Sequence, residues 1–355
     1  MAQHHSIVSI VGTRPELQRV IPVLHELKRR IKNPAVLYIP QKHDPDALEM
    51  LEKSGVTYYS FPKLFATKKP GSIDVIIQKV QQRLTELKTK VLLVSGDTTI
   101  AVSGCLAAQQ LRIPIAKIGA GFRLGDFNAP EEKNDLLTDH LAAVLFPFSA
   151  QSKQNLLNEG IPERKIISAG STLIWHIHET LRNQFVRRDT PGEVLISLHR
   201  SENLESKEVM QGIFHTFTKH KIHATCIVHQ PLLKTKAPRS KFITMHQSPS
   251  SYQTFITRLA QAKYIITDSN TIAEEACFLK VPCILVAKGS TRPETVSVGA
   301  CRLINPTTTK KVFQEELENA IYVSNRSKRN WIFPYGDIKM TTYIANCIAD
   351  TITGN

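Results

Sequence analysis

The chain has 355 residues, enough for two ordinary domains with separate cores, and its 42% hydrophobic and 21% charged residues are those of a globular protein. No apolar run reaches the roughly 18 residues of a membrane-spanning helix, and Met1 to His5 leads into an apolar strand without the layout of a secretory signal, so a cytoplasmic location is expected. The formal net charge of +14 is dispersed, with short clusters such as Lys28-Arg29-Arg30, Lys68-Lys69 and Lys310-Lys311; without zinc-finger spacing or an RNA-binding aromatic signature it argues against nucleic acid and for a field that draws anionic small molecules.

In chain order, β-branched runs alternate with amphipathic stretches. Strands are predicted at Ser6–Val11, Ala35–Ile39, Val56–Phe61, Val91–Val94, Ile113–Ile118 and Ala143–Phe146. Pro22 inside "LQRVIPVLHEL" is expected to kink or shorten the first helix. From Ser72 to Lys90, apolar residues at Ile73, Ile76, Ile77, Val80, Leu84 and Leu87 form a helical stripe, with Ser72 as a candidate cap. The polar stretch Arg182 to Gly192 breaks the pattern and is taken as the interdomain link.

The alternation then restarts, with strands at Val194–Leu198, Ala224–Val228, Phe242–Met245, Tyr264–Thr267, Cys283–Val286 and Arg302–Ile304. Helices are predicted at Ser206–His220, Tyr252–Ala262, Thr271–Leu279, Lys311–Val323 and Ile338–Ile352. Strands joined through helices make parallel sheets covered on both faces. The expected fold is therefore α/β: two Rossmann-like domains, residues 1–182 and 183–337, with a helix over 338–355 packing back across them. This resembles the glycosyltransferase-B-like architecture, in which an interdomain cleft holds a nucleotide-diphosphate sugar. The six cysteines are scattered without a C-x-x-C pair, mostly in apolar runs, and are expected to be buried, reduced thiols.

Ligands of open parallel sheets bind beyond the carboxyl ends of strands, so the loops there carry the chemistry. In "YIITDSNTIAEEA" a strand ends at Asp268 and a helix opens near Thr271; free backbone N–H groups with the Ser269 and Thr271 hydroxyls suit a diphosphate. Glu274 and Glu275, one turn on, can accept hydrogen bonds from ribose hydroxyls, although acids near a helix start are favourable in any case. Gly12-Thr13-Arg14-Pro15 offers close backbone approach and an arginine fork for phosphate oxygens. Gly96-Asp97-Thr98-Thr99 places an acid at a strand end, as a helix cap or as a catalyst. "GAGFRLGDFNAPEEKND" supplies Arg123, Asp126, Glu131 and Glu132 from a long loop, and His199-Arg200 ends another strand.

Taken in order, these blocks resemble the non-hydrolysing UDP-N-acetylglucosamine 2-epimerase family. Its loops G-T-R-P-E, G-D-T-T, E-A-G-L-R-T-G-D, P-E-E-x-N-R, H-R and D-S-G-G-I-Q-E-E-A correspond to Gly12–Glu16, Gly96–Thr99, "GAGFRLGD", "PEEKND", His199-Arg200 and "DSNTIAEEA". "RPETVSVG" and "PYGD" match as well. The resemblance implies interconversion of UDP-GlcNAc and UDP-ManNAc by C2-proton removal, expulsion of UDP and its re-addition, with no metal or redox cofactor and with a homodimer as the assembly. It implies catalytic roles for Asp97, Glu131 and His199. UDP or substrate contacts are implied for Arg14, Arg19, Arg123, His229, Phe255, Ser269, Asn270, Thr271, Glu275 and Arg292, with Arg292 and Glu294 as a cleft-facing pair.

Several positions depart from the pattern. The glutamate opening E-A-G-L-R, a catalytic carboxylate of the family, is Gly119; the arginine of P-E-E-x-N-R is Asp135; the family's usual lysine is Arg19; and the twin glycines are Asn270 and Thr271. The loop before Glu131 is about two residues shorter than usual. Three readings stay open: an epimerase with an altered acid–base set, a UDP-sugar glycosyltransferase or hydrolase, and a silent nucleotide-sugar-binding protein. A glutamate restored at Gly119 is expected to raise C2 exchange if the site is only impaired.

Overall fold

The computed structural model describes residues 4–31, 33–40, 44–61, 73–182, 192–228, 240–247 and 251–353. The candidate cap Ser72, the pair Lys68-Lys69, most of the proposed link and His229 lie outside the described residues.

Two parallel six-stranded sheets form. Strands β1 (Ile7–Val11), β2 (Ala35–Tyr38), β3 (Thr57–Ser60), β4 (Val91–Ser95), β5 (Ile115–Ile118) and β6 (Val144–Phe146) take the order β3-β2-β1-β4-β5-β6. Strands β7 (Val194–Leu198), β8 (Ala224–Val228), β9 (Ile243–Gln247), β10 (Tyr264–Thr267), β11 (Cys283–Val286) and β12 (Cys301–Ile304) take the order β12-β11-β10-β7-β8-β9. Counted from its own first strand, the second order is the same permutation. Each sheet thus has the Rossmann order and one switch point, between β1 and β4 and between β7 and β10.

The central strands are buried on both faces, as β-branched parallel strands must be. Their period of two splits the second unit's core: Val194, Ile196 and Leu198 pack with Phe214, Phe217 and Phe313, while Leu195 faces Ile256, Leu259 and Ala273. In the first unit Ile76, Val80 and Leu84 of the helical stripe cover Val8, Leu92 and Val94.

The chain divides into one unit of Met1–His176 with Tyr335–Asn355 and another of Ile177–Pro334. The first change of unit therefore falls inside the helix Leu173–Leu181, before the polar stretch that the sequence pattern marked. His176 is buried with the first unit, whereas Ile177 joins the core of the second. The returning segment pairs with the first unit through the Ser171 N–H and Tyr335 carbonyl at 2.8 Å, and the terminal helix Lys339–Thr353 packs on α1 (Arg14–Lys28).

Pro22 does not shorten α1, which runs through it for 15 residues. A proline N cannot bond the carbonyl four residues back, here Gln18. The buried His176 ring hydrogen-bonds the Gln18 backbone, giving that carbonyl a substitute partner. Burial holds His176 down to about 4, so it stays neutral in this role.

Candidate functional site

The switch point of the first unit is closed by a carboxylate. Glu16, at the third position of α1, accepts the N–H groups of Gly12 at 2.7 Å and Thr13 at 2.9 Å on one oxygen. Its other oxygen takes the Thr98 hydroxyl at 2.6 Å, joining the loops after β1 and β4. Gly12 is needed for packing: a Cβ there would lie 2.9 Å from Ile100 Cγ1 and 3.1 Å from the Ile39 carbonyl. Burial is the main force on Glu16, raising it to about 7 against its hydrogen bonds. Thr98, not Asp97, caps the following helix by accepting from the Ala101 N–H at 3.2 Å, which removes the capping explanation for Asp97. Asp97 is half-buried, and its carbonyl accepts the Asn134 amide at 2.9 Å.

The loop after β5 carries Gly119 at φ 73°, where a Cβ would meet Phe122 Cε2 at 3.0 Å and the Phe148 ring at 3.5 Å. These two rings stack edge to face at 5.7 Å, and the Arg19 guanidinium carbon stands 5.8 Å from the Phe122 centroid. The volume beside Gly119 is therefore aromatic, bordered by a cation. Arg123 is held by Glu159 at 2.6 Å and Asp139 at 2.8 Å. Glu132 turns inward to accept Leu124 and Gly125 N–H groups, whereas Glu131 stays exposed one position earlier on α5 (Pro130–Leu141).

At the second switch point Asp268 plays the matching part from the β10 end. It accepts the N–H groups of His199 at 2.9 Å and Arg200 at 3.0 Å and the Asn203 amide at 3.0 Å, and burial raises its pKa. His199 Nε2 stands 3.1 Å from the Ser197 hydroxyl. Ser269 caps the nine-residue helix Asn270–Phe278 by accepting from the Ile272 N–H. The Asn270 side chain, where the family has glycine, accepts from Ser290 at 2.9 Å and Thr291 at 3.2 Å. First-turn N–H groups have no intrahelical acceptor, so this start is suited to oxyanions.

The two adjacent glutamates separate in role. Glu274 forms a buried ion pair with Arg292, Nε to Oε2 at 2.6 Å, with both side chains 2% exposed. Arg292 is thus tied to Glu274. Glu275, also buried, accepts the Tyr252 hydroxyl at 2.8 Å. Phe255 lies in the core with Ile256 and Leu195. Arg14, at the start of α1, pairs with Asp46 at 2.6 Å and remains partly exposed.

The structure gathers Arg14, Asp97 and Thr98 at one switch point and His199, Ser269, Asn270 and Thr271 at the other. Sequence reasoning gave no role to Glu16, Lys117, Tyr252 or Asp268. T-x-x-E before an apolar helix is a capping-box signal for Glu16. A lone lysine inside the strand "IPIAKIG" flags Lys117 as a buried charge in need of partners. Among the described residues no cluster of three or more His, Cys, Asp or Glu suits a metal ion, and no helix is long and apolar enough to cross a membrane. All six cysteines are unpaired; five are buried and Cys347 is partly so.

Comparison with known proteins agrees with the fold. The family profile described as UDP-N-acetylglucosamine 2-epimerase matches residues 67–349. A UDP-N-acetylglucosamine 2-epimerase of Methanocaldococcus jannaschii is 31% identical over 93% of this chain and 95% of its own length. The crystal structure of the M. jannaschii UDP-GlcNAc 2-epimerase in complex with UDP-GlcNAc and UDP superposes with a TM-score of 0.85 at 30% identity, covering 96% of this chain and 99% of that one. The Neisseria meningitidis enzyme bound to UDP-GlcNAc gives 0.84 at 26% identity, covering 98% and 100%. A Rickettsia africae glycosyltransferase, 12% identical with a TM-score of 0.57 over 99% of each chain, shares the fold alone. With two Rossmann-ordered sheets in a glycosyltransferase-B-like fold and these matches along its length, the chain belongs to the UDP-N-acetylglucosamine 2-epimerase family.

Proposed function

We propose that the chain interconverts UDP-GlcNAc and UDP-ManNAc with an acid–base set that lacks the carboxylate at position 119. The observation that carries this reading is the start of the helix Asn270–Phe278. It combines first-turn N–H groups for a diphosphate, an asparagine side chain bound by Ser290 and Thr291, and Glu275 one turn on for ribose hydroxyls. Asp97, Glu131 and His199 are the groups we assign to proton transfer. One removes the C2 proton as the bond to UDP breaks, leaving 2-acetamidoglucal; reprotonation on the other face and return of UDP complete the cycle. Arg14 and Arg19 supply positive charge toward the leaving diphosphate. A homodimer and a cytoplasmic location complete the proposal.

UDP-GlcNAc incubated with the protein in D₂O and followed by NMR tests it. Deuterium at C2 together with UDP-ManNAc is the expected result. A second reading, hydrolysis or transfer from a UDP-sugar, is favoured by the aromatic filling beside Gly119, since neither reaction needs a base on both faces of C2. Free UDP without C2 deuterium would replace the first reading by the second. Saturable UDP-GlcNAc binding with neither product would leave a binding protein.

A further inference from the structure

Among the described residues, Lys117 is the one charged side chain carried on the strands of the first sheet. It projects from β5 with a side chain 0% exposed, and its Nζ meets Asp135 Oδ1 at 2.6 Å, Asp139 Oδ1 at 3.1 Å, the Asp135 carbonyl at 3.3 Å and the Thr138 hydroxyl. All four acceptors lie on α5. Asp139 extends the set by accepting the Gly121 N–H at 3.0 Å and Arg123 Nη2 at 2.8 Å. Burial alone would discharge the ammonium, but the two aspartates outweigh it and keep it charged. An unpaired ammonium or aspartate at this depth would be strongly destabilising, so neither Lys117 nor Asp135 is tolerable without a countercharge.

Position 135 is where the family pattern carries an arginine, and here it is an aspartate bound to a lysine on the facing strand. The charge at position 135 is thus opposite in sign to that of the family pattern, and Lys117 on the facing strand balances it. The same helix bears Glu131 one turn before Asp135, and Asn134, whose amide holds the Asp97 carbonyl at 2.9 Å. A continuous set of contacts therefore runs from Lys117 through α5 to the loop after β4.

We infer that Lys117 is a positioning residue for this site: by gripping Asp135, Thr138 and Asp139 it sets where α5 presents Glu131 and how Asn134 holds the Asp97 loop. The kinetic side of the inference rests on the epimerase reading above; the structural side does not. Lys117 touches no reacting atom. Its role is to hold the groups that transfer protons in place, and a displacement of about 1 Å at such groups costs roughly 100-fold in rate.

The test removes the pair without leaving a buried charge unpaired. In the full-length Lys117→Met/Asp135→Leu variant, Asp139 keeps Arg123 as its partner. Two readouts are taken on protein shown by its cooperative unfolding to be folded: steady-state C2 epimerisation of UDP-GlcNAc, and the ¹⁵N resonance of the Asn134 side-chain amide. We expect kcat to fall roughly 10- to 100-fold with KM changed by less than about 3-fold, because the diphosphate and ribose contacts lie elsewhere. The Asn134 amide resonance is expected to shift as its bond to Asp97 loosens. Unchanged kcat and an unchanged Asn134 resonance in the folded variant would make the pair a stability element only and overturn the inference. If the wild-type protein shows no C2 exchange, the epimerase reading fails, and the Asn134 resonance alone decides this one. Should the double variant not fold, Thr138→Val removes a neutral ligand of the ammonium and leaves every charge in place; a smaller shift of the same resonance supports the inference, and none refutes it.

Discussion

Replacing Gly119 by glutamate separates an impaired epimerase from a rebuilt one. The backbone there has φ of 73°, and a Cβ would stand 3.0 Å from Phe122 Cε2. A non-glycine residue in the left-handed region costs about 1–2 kcal/mol, and forcing atoms into a filled core costs about 1–3 kcal/mol. Together they predict a loss of roughly 2–5 kcal/mol, a large part of a domain's stability. The expectation that a restored glutamate raises exchange thus changes on structural grounds. Gly119→Glu alone should lower the denaturation midpoint without gain in C2 deuterium incorporation. Combining it with Phe122→Leu, the residue of the family motif, removes the ring edge and should recover about 1–3 kcal/mol and increase exchange. Both are read from urea unfolding and from NMR of UDP-GlcNAc in D₂O. A single Gly119→Glu variant as stable as the parent, with exchange raised about tenfold or more, would refute the argument that Phe122 has taken the glutamate's place.

Three further outcomes follow from the buried carboxylates. Glu16 is raised from 4.5 to about 7, so its contribution to stability is fully present below pH 4.5 and is lost as pH rises through 7. This is worth about 3 kcal/mol at most, and Glu16→Gln should flatten the fall in unfolding free energy between pH 5 and 8; an equal fall in both proteins would rule it out. Arg292→Met should destabilise by about 3–5 kcal/mol by stranding Glu274, and Arg292→Met/Glu274→Leu should restore most of it, as thermal unfolding would report. If the double variant is no more stable than the single, the pair is not the cause. Glu275→Gln should weaken UDP binding about tenfold in calorimetry while Tyr252→Phe leaves the fold intact; undiminished affinity in Glu275→Gln would take Glu275 out of the ribose site.

The twelve strands among the described residues and the alternation of strand and helix were legible in the chain because apolar residues at periods of two and 3.6 report burial locally. The loops of the two switch points were legible too, since glycine, proline and hydroxyl residues at strand ends have local backbone reasons to be there. Pro22 shows the limit of local rules: its helix persists, and His176, distant in sequence, hydrogen-bonds the backbone of Gln18, whose carbonyl proline leaves unbonded. Gly119 could be seen as a missing acid, but not that Phe122 and Phe148 fill its surroundings. Likewise, neighbouring Glu274 and Glu275 look equivalent until packing commits one to Arg292 and the other to Tyr252. Lys117 and Asp135, 18 residues apart, become a pair only when α5 folds across β5. Sequence by itself determined which segments become buried strands and helices and which loops end them. Tertiary structure alone decided the partner of each buried charge, because burying a charge is costly and only the folded arrangement supplies the countercharge.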